Sequence, residues 1–182
     1  MDAPPAHQAR LGNALLRDVQ RGDTRLVARL LDAGAPVNWR GSDERLGWTP
    51  LMCAAAGGYR GIGRLLLNRG ARLDAKDHDG NSALVWAIWN GKIEMARMLL
   101  DFGAELEAKR HDGCTPVMVA ASCGMADAVS MLVVRGADLD ATAFDGEDAV
   151  QICTDERCKQ LLCSARRGRR WRRRRALVTW RH

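Results

Sequence analysis

Aromatic residues make up only 5% of the 182 residues, with one Tyr and two Phe among them. A core of stacked rings is therefore excluded, and Leu, Ala, Val and Met must fill it. No run approaches the ~18 consecutive apolar residues of a membrane span; the most apolar stretch, Ala83 to Trp89, is far shorter. The start, Met1-Asp2-Ala3-Pro4-Pro5, has neither a basic segment nor an apolar stretch of about 7–15 residues, so no signal peptide is visible. These absences predict a protein that is not secreted and has no transmembrane segment, cytoplasmic or nuclear, where its six Cys stay thiols. Catalytic signatures are missing too: there is no Gly-x-x-x-x-Gly-Lys-Ser/Thr, no His-Glu-x-x-His and no Gly-x-Ser-x-Gly. The expectation is no enzyme and no cofactor.

Acidic residues are absent from 166–182, which hold nine of the 28 basic residues, all Arg. The remaining 19 bases face all 22 acids, so the body is mildly acidic and the net charge of +6 belongs to a tail. A basic pI of 9.3 therefore says nothing about the surface of residues 1–165.

Glycine, in contrast, is plentiful and periodic. Gly-Ala pairs begin at Gly34, Gly70, Gly103 and Gly136, with separations of 36, 33 and 33. A second series, Gly47, Gly80, Gly113 and Gly146, is spaced 33 throughout. Aligned segments follow it: Gly47-Trp-Thr-Pro-Leu-Met-Cys-Ala-Ala55, Gly80-Asn-Ser-Ala-Leu-Val-Trp-Ala-Ile88, Gly113-Cys-Thr-Pro-Val-Met-Val-Ala-Ala121, and the degraded Gly146-Glu-Asp-Ala-Val-Gln-Ile-Cys-Thr154. Thr49 and Thr115 suit N-caps with Pro50 and Pro116 in the first helical position, and Ser82 suits the same role before Ala83. Second helices carry apolar stripes, as at Ile62, Leu65, Leu66 and Leu67, ended by the Gly-Ala turns.

Over about residues 13–163 this period and these motifs resemble the ankyrin repeat, a turn followed by Thr-Pro-Leu-His and two helices. The resemblance implies an all-α solenoid of stacked helix-turn-helix units with β-hairpin-like loops. Three full repeats (47–79, 80–112, 113–145) lie between two partial capping repeats (13–46, 146–163), after a flexible terminus over 1–12 and before a disordered Arg-rich tail over 164–182. One departure is systematic. The His of the motif is replaced by Met52, Val85, Met118 and Gln151, which predicts more reliance on apolar contacts.

No metal site is expected. His78 and His111 are equivalent positions one repeat apart, too distant for one tetrahedral ion, and Cys153, Cys158 and Cys163 lack a fourth ligand. Cys153 reads as a small apolar filler, and Cys114 and Cys123 have no basic neighbour to activate a thiol.

In such an array the hairpin tips and the outer side of each first helix line a concave, partner-binding face. Repeat position places on it Leu46 and Trp48; His78, Asp79, Asn81, Trp89 and Asn90; His111, Asp112, Cys114 and Ser122; and Phe144, Asp145 and Glu147. Trp48, Trp89 and Phe144 read as solvent-facing anchors, or else as rings folded onto a neighbouring repeat; Trp86 reads as core. The stretch Arg166–Arg175 admits three readings: a solvated tail without a role, a nuclear-localisation or RNA-binding arm with Trp171 and Trp180 stacking on bases, or an extraneous end read out of frame from a GC-rich stretch. The sequence thus predicts a monomeric adaptor or scaffold that binds another protein, no membrane, and nucleic acid only through the tail. The alternative is a nuclear, RNA-associated protein whose tail supplies affinity while the repeats recruit a partner.

Overall fold

The computed structural model describes residues 6–40 and 47–179, with side chains as far as Gly168. The chain divides into two compact units, residues 1–105 and 106–182.

In the first unit, six helices form three pairs: α1 (Ala6–Arg21) with α2 (Thr24–Asp32), α3 (Pro50–Gly57) with α4 (Arg60–Asn68), and α5 (Ala83–Trp89) with α6 (Ile93–Asp101). First helices stack on first helices, α1 on α3 on α5, and second on second, α2 on α4 on α6. Alanine makes this close approach possible, since Ala54, Ala55 and Ala87 are fully buried. Leu15, Leu51, Ile62, Leu66, Leu84, Ile88, Met95 and Leu99 fill the spaces between the helices. Each such side chain contributes about 1.5–3 kcal/mol of burial free energy. At Gly63 of α4 the Cε and Sδ of Met95 lie so near that a Cβ would collide with them.

Helix starts follow the sequence expectation and add to it. Thr49 Oγ1 accepts the Met52 N–H at 3.4 Å, and Ser82 Oγ accepts the Val85 N–H at 3.4 Å. In return the Met52 thioether accepts the Thr49 N–H at 3.4 Å, and in the second unit Met118 accepts from Thr115 at 3.4 Å. Sulfur is a weak acceptor. It still returns a bond to each threonine N–H, while Thr115 Oγ1 itself is buried without a hydrogen-bond partner.

The N-terminal expectation needs correction. Helix α1 begins at Ala6, inside the segment predicted flexible over 1–12, and Gly12 lies beneath the Trp39 ring. The Trp39 indole donates to Asn13 Oδ1 at 2.9 Å, tying the first helix to the turn after α2.

The second unit pairs α7 (Pro116–Ser122) with α8 (Ala126–Val134) and α9 (Ala149–Ile152) with α10 (Glu156–Thr179). Helix α7 packs on α9 and α8 on α10. Val117, Met118, Val129, Leu132, Leu139, Cys158 and Leu162 are buried there. Cys153 is 5% exposed, in the small apolar slot expected, and burial pushes the Cys158 thiol up to about 11.

Helix α10 crosses the boundary expected after Cys163 and continues as one helix to Thr179, the last described residue of the segment expected to be a disordered tail. Its first Arg is structural. Arg166 Nε donates to Asp140 Oδ1 at 2.6 Å, and its Nη1 donates to Asp148 Oδ2 at 2.8 Å. Asp148 also N-caps α9, its Oδ1 accepting from the Val150 and Gln151 N–H groups at 2.8 and 3.0 Å. Partial burial pushes its carboxyl upward, but those amides and the Arg166 guanidinium outweigh it and hold the group below the usual carboxylate range.

Candidate functional site

The turn before α5 is organised by one buried carboxylate. Asp77, 4% exposed, accepts from the Asp79 and Asn81 N–H groups through Oδ1 at 3.0 and 2.8 Å. Its Oδ2 accepts from Asn81 Nδ2 and from the Trp86 indole N–H, both at 2.9 Å. That second bond fixes the Trp86 ring, which carries two neighbours. Trp48 lies with its centroid 4.3 Å away at 57°, and Trp89 stacks at 5.7 Å and 16°. Trp89 is 44% exposed, and Asn90 beside it donates to the Trp86 carbonyl at 2.9 Å. His78 is exposed at the turn, its imidazole lying over Gly47, where any Cβ would meet it at 2.6 Å. Gly47 is required by its φ of +62°, whereas the exposed His78 ring could turn aside from a Cβ.

Several expected assignments change. Trp86 is half-buried between Trp48 and Trp89 and belongs to the surface cluster instead of the core. Trp48 is half-buried, with an indole N–H that is buried and has no hydrogen-bond partner. Asn81 is 1% exposed and engaged with Asp77, so it is a turn-former and contributes no contact surface. Leu46 lies outside the described residues. Asp79, His78, Trp89 and Asn90 are exposed as expected.

The Asp77 N–H also closes its turn on the Asn81 carbonyl at 3.0 Å, and in the second unit the turns at 110–114 and 143–147 close likewise, Arg110 N–H to Cys114 carbonyl and Ala143 N–H to Glu147 carbonyl, at 3.0 and 2.9 Å. Phe144 is 76% exposed, with its N–H bonded to the Asp112 carbonyl at 3.1 Å and its ring against Gly113. His111, Asp112, Asp145 and Glu147 are exposed around these two tips. Asp112 accepts the Cys114 N–H at 2.9 Å and lies 3.6 Å from Arg110. Cys114 is half-buried, and burial, helped by Asp112, raises its thiol to about 11, the reverse of an activated nucleophile. Ser122 is exposed but donates to the Val119 carbonyl at 2.9 Å. Among the described residues, no group of three His, Cys, Asp or Glu is placed to hold a metal ion, and no helix is long and apolar enough to cross a membrane.

The family of Ankyrin repeats (3 copies) matches residues 15–110 and 77–143, together well over half of the chain. The chain belongs to the ankyrin repeat family. Its fold is the all-α ankyrin-repeat solenoid. Over 66 residues it is 46% identical to "Ankyrin repeat, SAM and basic leucine zipper domain-containing protein 1" of Oryctolagus cuniculus, covering 36% of this chain and 13% of that protein. It is 37% identical over 87 residues to M-phase phosphoprotein 8 of Mus musculus, 47% of this chain and 10% of that one. With the 2-5A-dependent ribonuclease of Homo sapiens it shares 35% over 81 residues, 44% of this chain and 11% of the relative. The chain thus spans roughly a tenth of the length of these relatives. Ankyrin repeats in general mediate protein–protein contact and are not themselves catalytic.

Proposed function

We propose that the chain is a non-catalytic adaptor or scaffold, monomeric by itself, that holds a partner protein on the Trp48–Trp86–Trp89 surface and the adjoining His78-Asp79 turn. The observation that carries this is the contiguous indole stack ending in a Trp that is 44% exposed. Large rings at such positions are over-represented among binding hot spots. Trp89→Ala should weaken partner capture by about 2 kcal/mol, a ~30-fold loss, while the thermal midpoint moves little. Trp86→Ala should lower both, because it removes the ring that Trp48 and Trp89 rest on and leaves Asp77 Oδ2 one donor short. Paired unfolding and pull-down measurements on the two variants decide it. Equal destabilisation with intact capture would remove the surface from consideration.

A second reading rests on the continuity of α10, which carries eight Arg between 166 and 175 on one helix. Arg166 is engaged with Asp140 and Asp148; a cluster of Arg of this density suits phosphate contact, and the protein would then act in the nucleus on RNA. Binding of a single-stranded RNA by the full chain should fall steeply between about 50 and 200 mM salt, with a log–log slope near −0.7 per phosphate contacted. A flat salt response would dismiss this reading and leave the first untouched.

A further inference from the structure

We infer that the groove between α8 and α10 receives an acidic amphipathic helix of a partner protein. It uses none of the Trp48–Trp86–Trp89 residues and so goes beyond the role proposed for that surface. Two adjoining hollows, of about 500 and 640 Å³, share Ser130, Leu161 and Ser164 and form one trough along the two helices. Val134, Leu161 and Ala165 give the trough its apolar lining. Val134 is 82% exposed at the end of α8 and takes no part in the face that this helix buries, Ala128, Val129, Met131 and Leu132. The Ser164 hydroxyl donates to the Leu161 carbonyl at 2.8 Å, so the residue serves the groove as a small one. Beside Ala165 and Gly168 it leaves room for the side chains of a third helix to enter, the usual way an amphipathic helix is held.

Charge selects the occupant. Arg157 and Arg167 line the trough, both exposed, and neither forms an ion pair among the described residues. Ten positions apart on one helix, they stand roughly 15 Å apart along its axis. Against them, Asp127 is the one carboxylate in the lining among the described residues. Helix α10 as a whole carries ten basic residues and a single acid, Glu156. A basic helix is repelled here. So is a second copy of this chain, whose own α10 would bring the same charge to a two-fold contact. RNA would satisfy the cations but leave Val134, Leu161 and Ala165 against a hydrated sugar–phosphate backbone. A helix with apolar residues at i, i+3, i+4 and i+7, and carboxylates near both ends of that stripe, meets both demands.

The test uses the full chain and a fluorescent helical peptide with Leu along one face and Glu flanking it, beside a twin in which every Glu is Lys. The Glu peptide should bind, and the Lys peptide should bind at least about tenfold more weakly. Val134→Glu, at an exposed position, should abolish binding while the thermal midpoint stays in place. The double variant Arg157→Glu, Arg167→Glu should reverse the preference between the two peptides; if Val134→Glu does not fold, this reversal carries the comparison. Equal binding of the two peptides overturns the inference, as does binding of the Glu peptide that survives Val134→Glu. So does binding of oligouridylate, or self-association of the chain, that Val134→Glu abolishes, which would seat RNA or a second copy in the groove. Trp89→Leu should leave binding of the Glu peptide unchanged; its loss there would move the peptide to the Trp surface and remove the groove. Loss of the protein partner in Trp89→Leu, in contrast, bears on that surface alone.

Discussion

Gly103→Val should destabilise the protein by about 2–3 kcal/mol, whereas Gly61→Val should stay within about half a kcal/mol of the parent. Helix α6 ends at Asp101, and the chain leaves it with Gly103 at φ +93°. In that conformation the Gly103 N–H reaches the Leu100 carbonyl and the Ala104 N–H the Leu99 carbonyl, both at 3.0 Å. These two bonds are the Schellman closure, and they satisfy carbonyls that the helix would otherwise leave open. Nothing lies within 4 Å of a Cβ built at Gly103, so the cost is backbone strain alone, most severe for a β-branched residue. Gly103→Asn should therefore recover part of the loss, since Asn tolerates the left-handed region. Gly61 also faces open space, but it sits in the first turn of α4 without a positive φ, where valine is no worse a helix former than glycine. Superimposable urea curves for Gly103→Val and Gly61→Val would contradict the assignment of the turn.

Arg166→Ala should cost about 2–3 kcal/mol, the range for charge-assisted hydrogen bonds reduced for partial exposure. The guanidinium is 28% exposed, and Asp148 is only 12% exposed, so the substitution strands a poorly hydrated carboxylate. The pH dependence has a definite sign. The folded Asp148 carboxyl titrates below its unfolded value of about 3.9, so its contribution is complete above that pH. It is lost as pH falls through the lower, folded value. The parent and Arg166→Ala should therefore differ by a constant amount from about pH 5 to 8 and converge below about pH 4. A gap that persists unchanged into acid would show that the Arg166 aliphatic stem, and not its charge, does the stabilising. Chains ending at Ala165 and at Gly168 make the same comparison by truncation: only the longer keeps the two ion pairs, and only it should keep the parent midpoint.

Much of this architecture can be read from spacing. Two glycine series with a common period locate the turns, and Thr-Pro and Ser-Ala locate the starts of α3, α5 and α7, because a positive φ and an N-cap each demand particular residues. The candidate surface is only half legible. The exposure of Trp89 follows from repeat position, whereas Trp48, read as solvent-facing by the same mapping, is half-buried. The place of Trp86 does not follow, because three residues along a helix is close to one turn, and aligning it with Cys53 and Val119 gives no hint that Asp77 captures its indole nine positions away. Asn81 fails for the same reason, as its side chain turns inward to that carboxylate. The run of Arg after Cys163 hides a helix, since charge density suggests a solvated tail while arginine is itself a good helix former. The partners of Arg166 lie 26 and 18 residues earlier, beyond any local pattern.

The sulfur atoms that close the starts of α3 and α7 carry a further consequence. Met52 and Met118 are 0% and 1% exposed, and the sulfur that receives each threonine N–H is the atom an oxidant attacks. Peroxide can reach it only while the repeat is open, so sulfoxide formation at these two sites would count local openings. Once formed, the sulfoxide brings a polar oxygen into a space with no vacancy for it. The helix start could then no longer close as before, and a passing fluctuation would become a lasting lesion until a reductase restored the thioether.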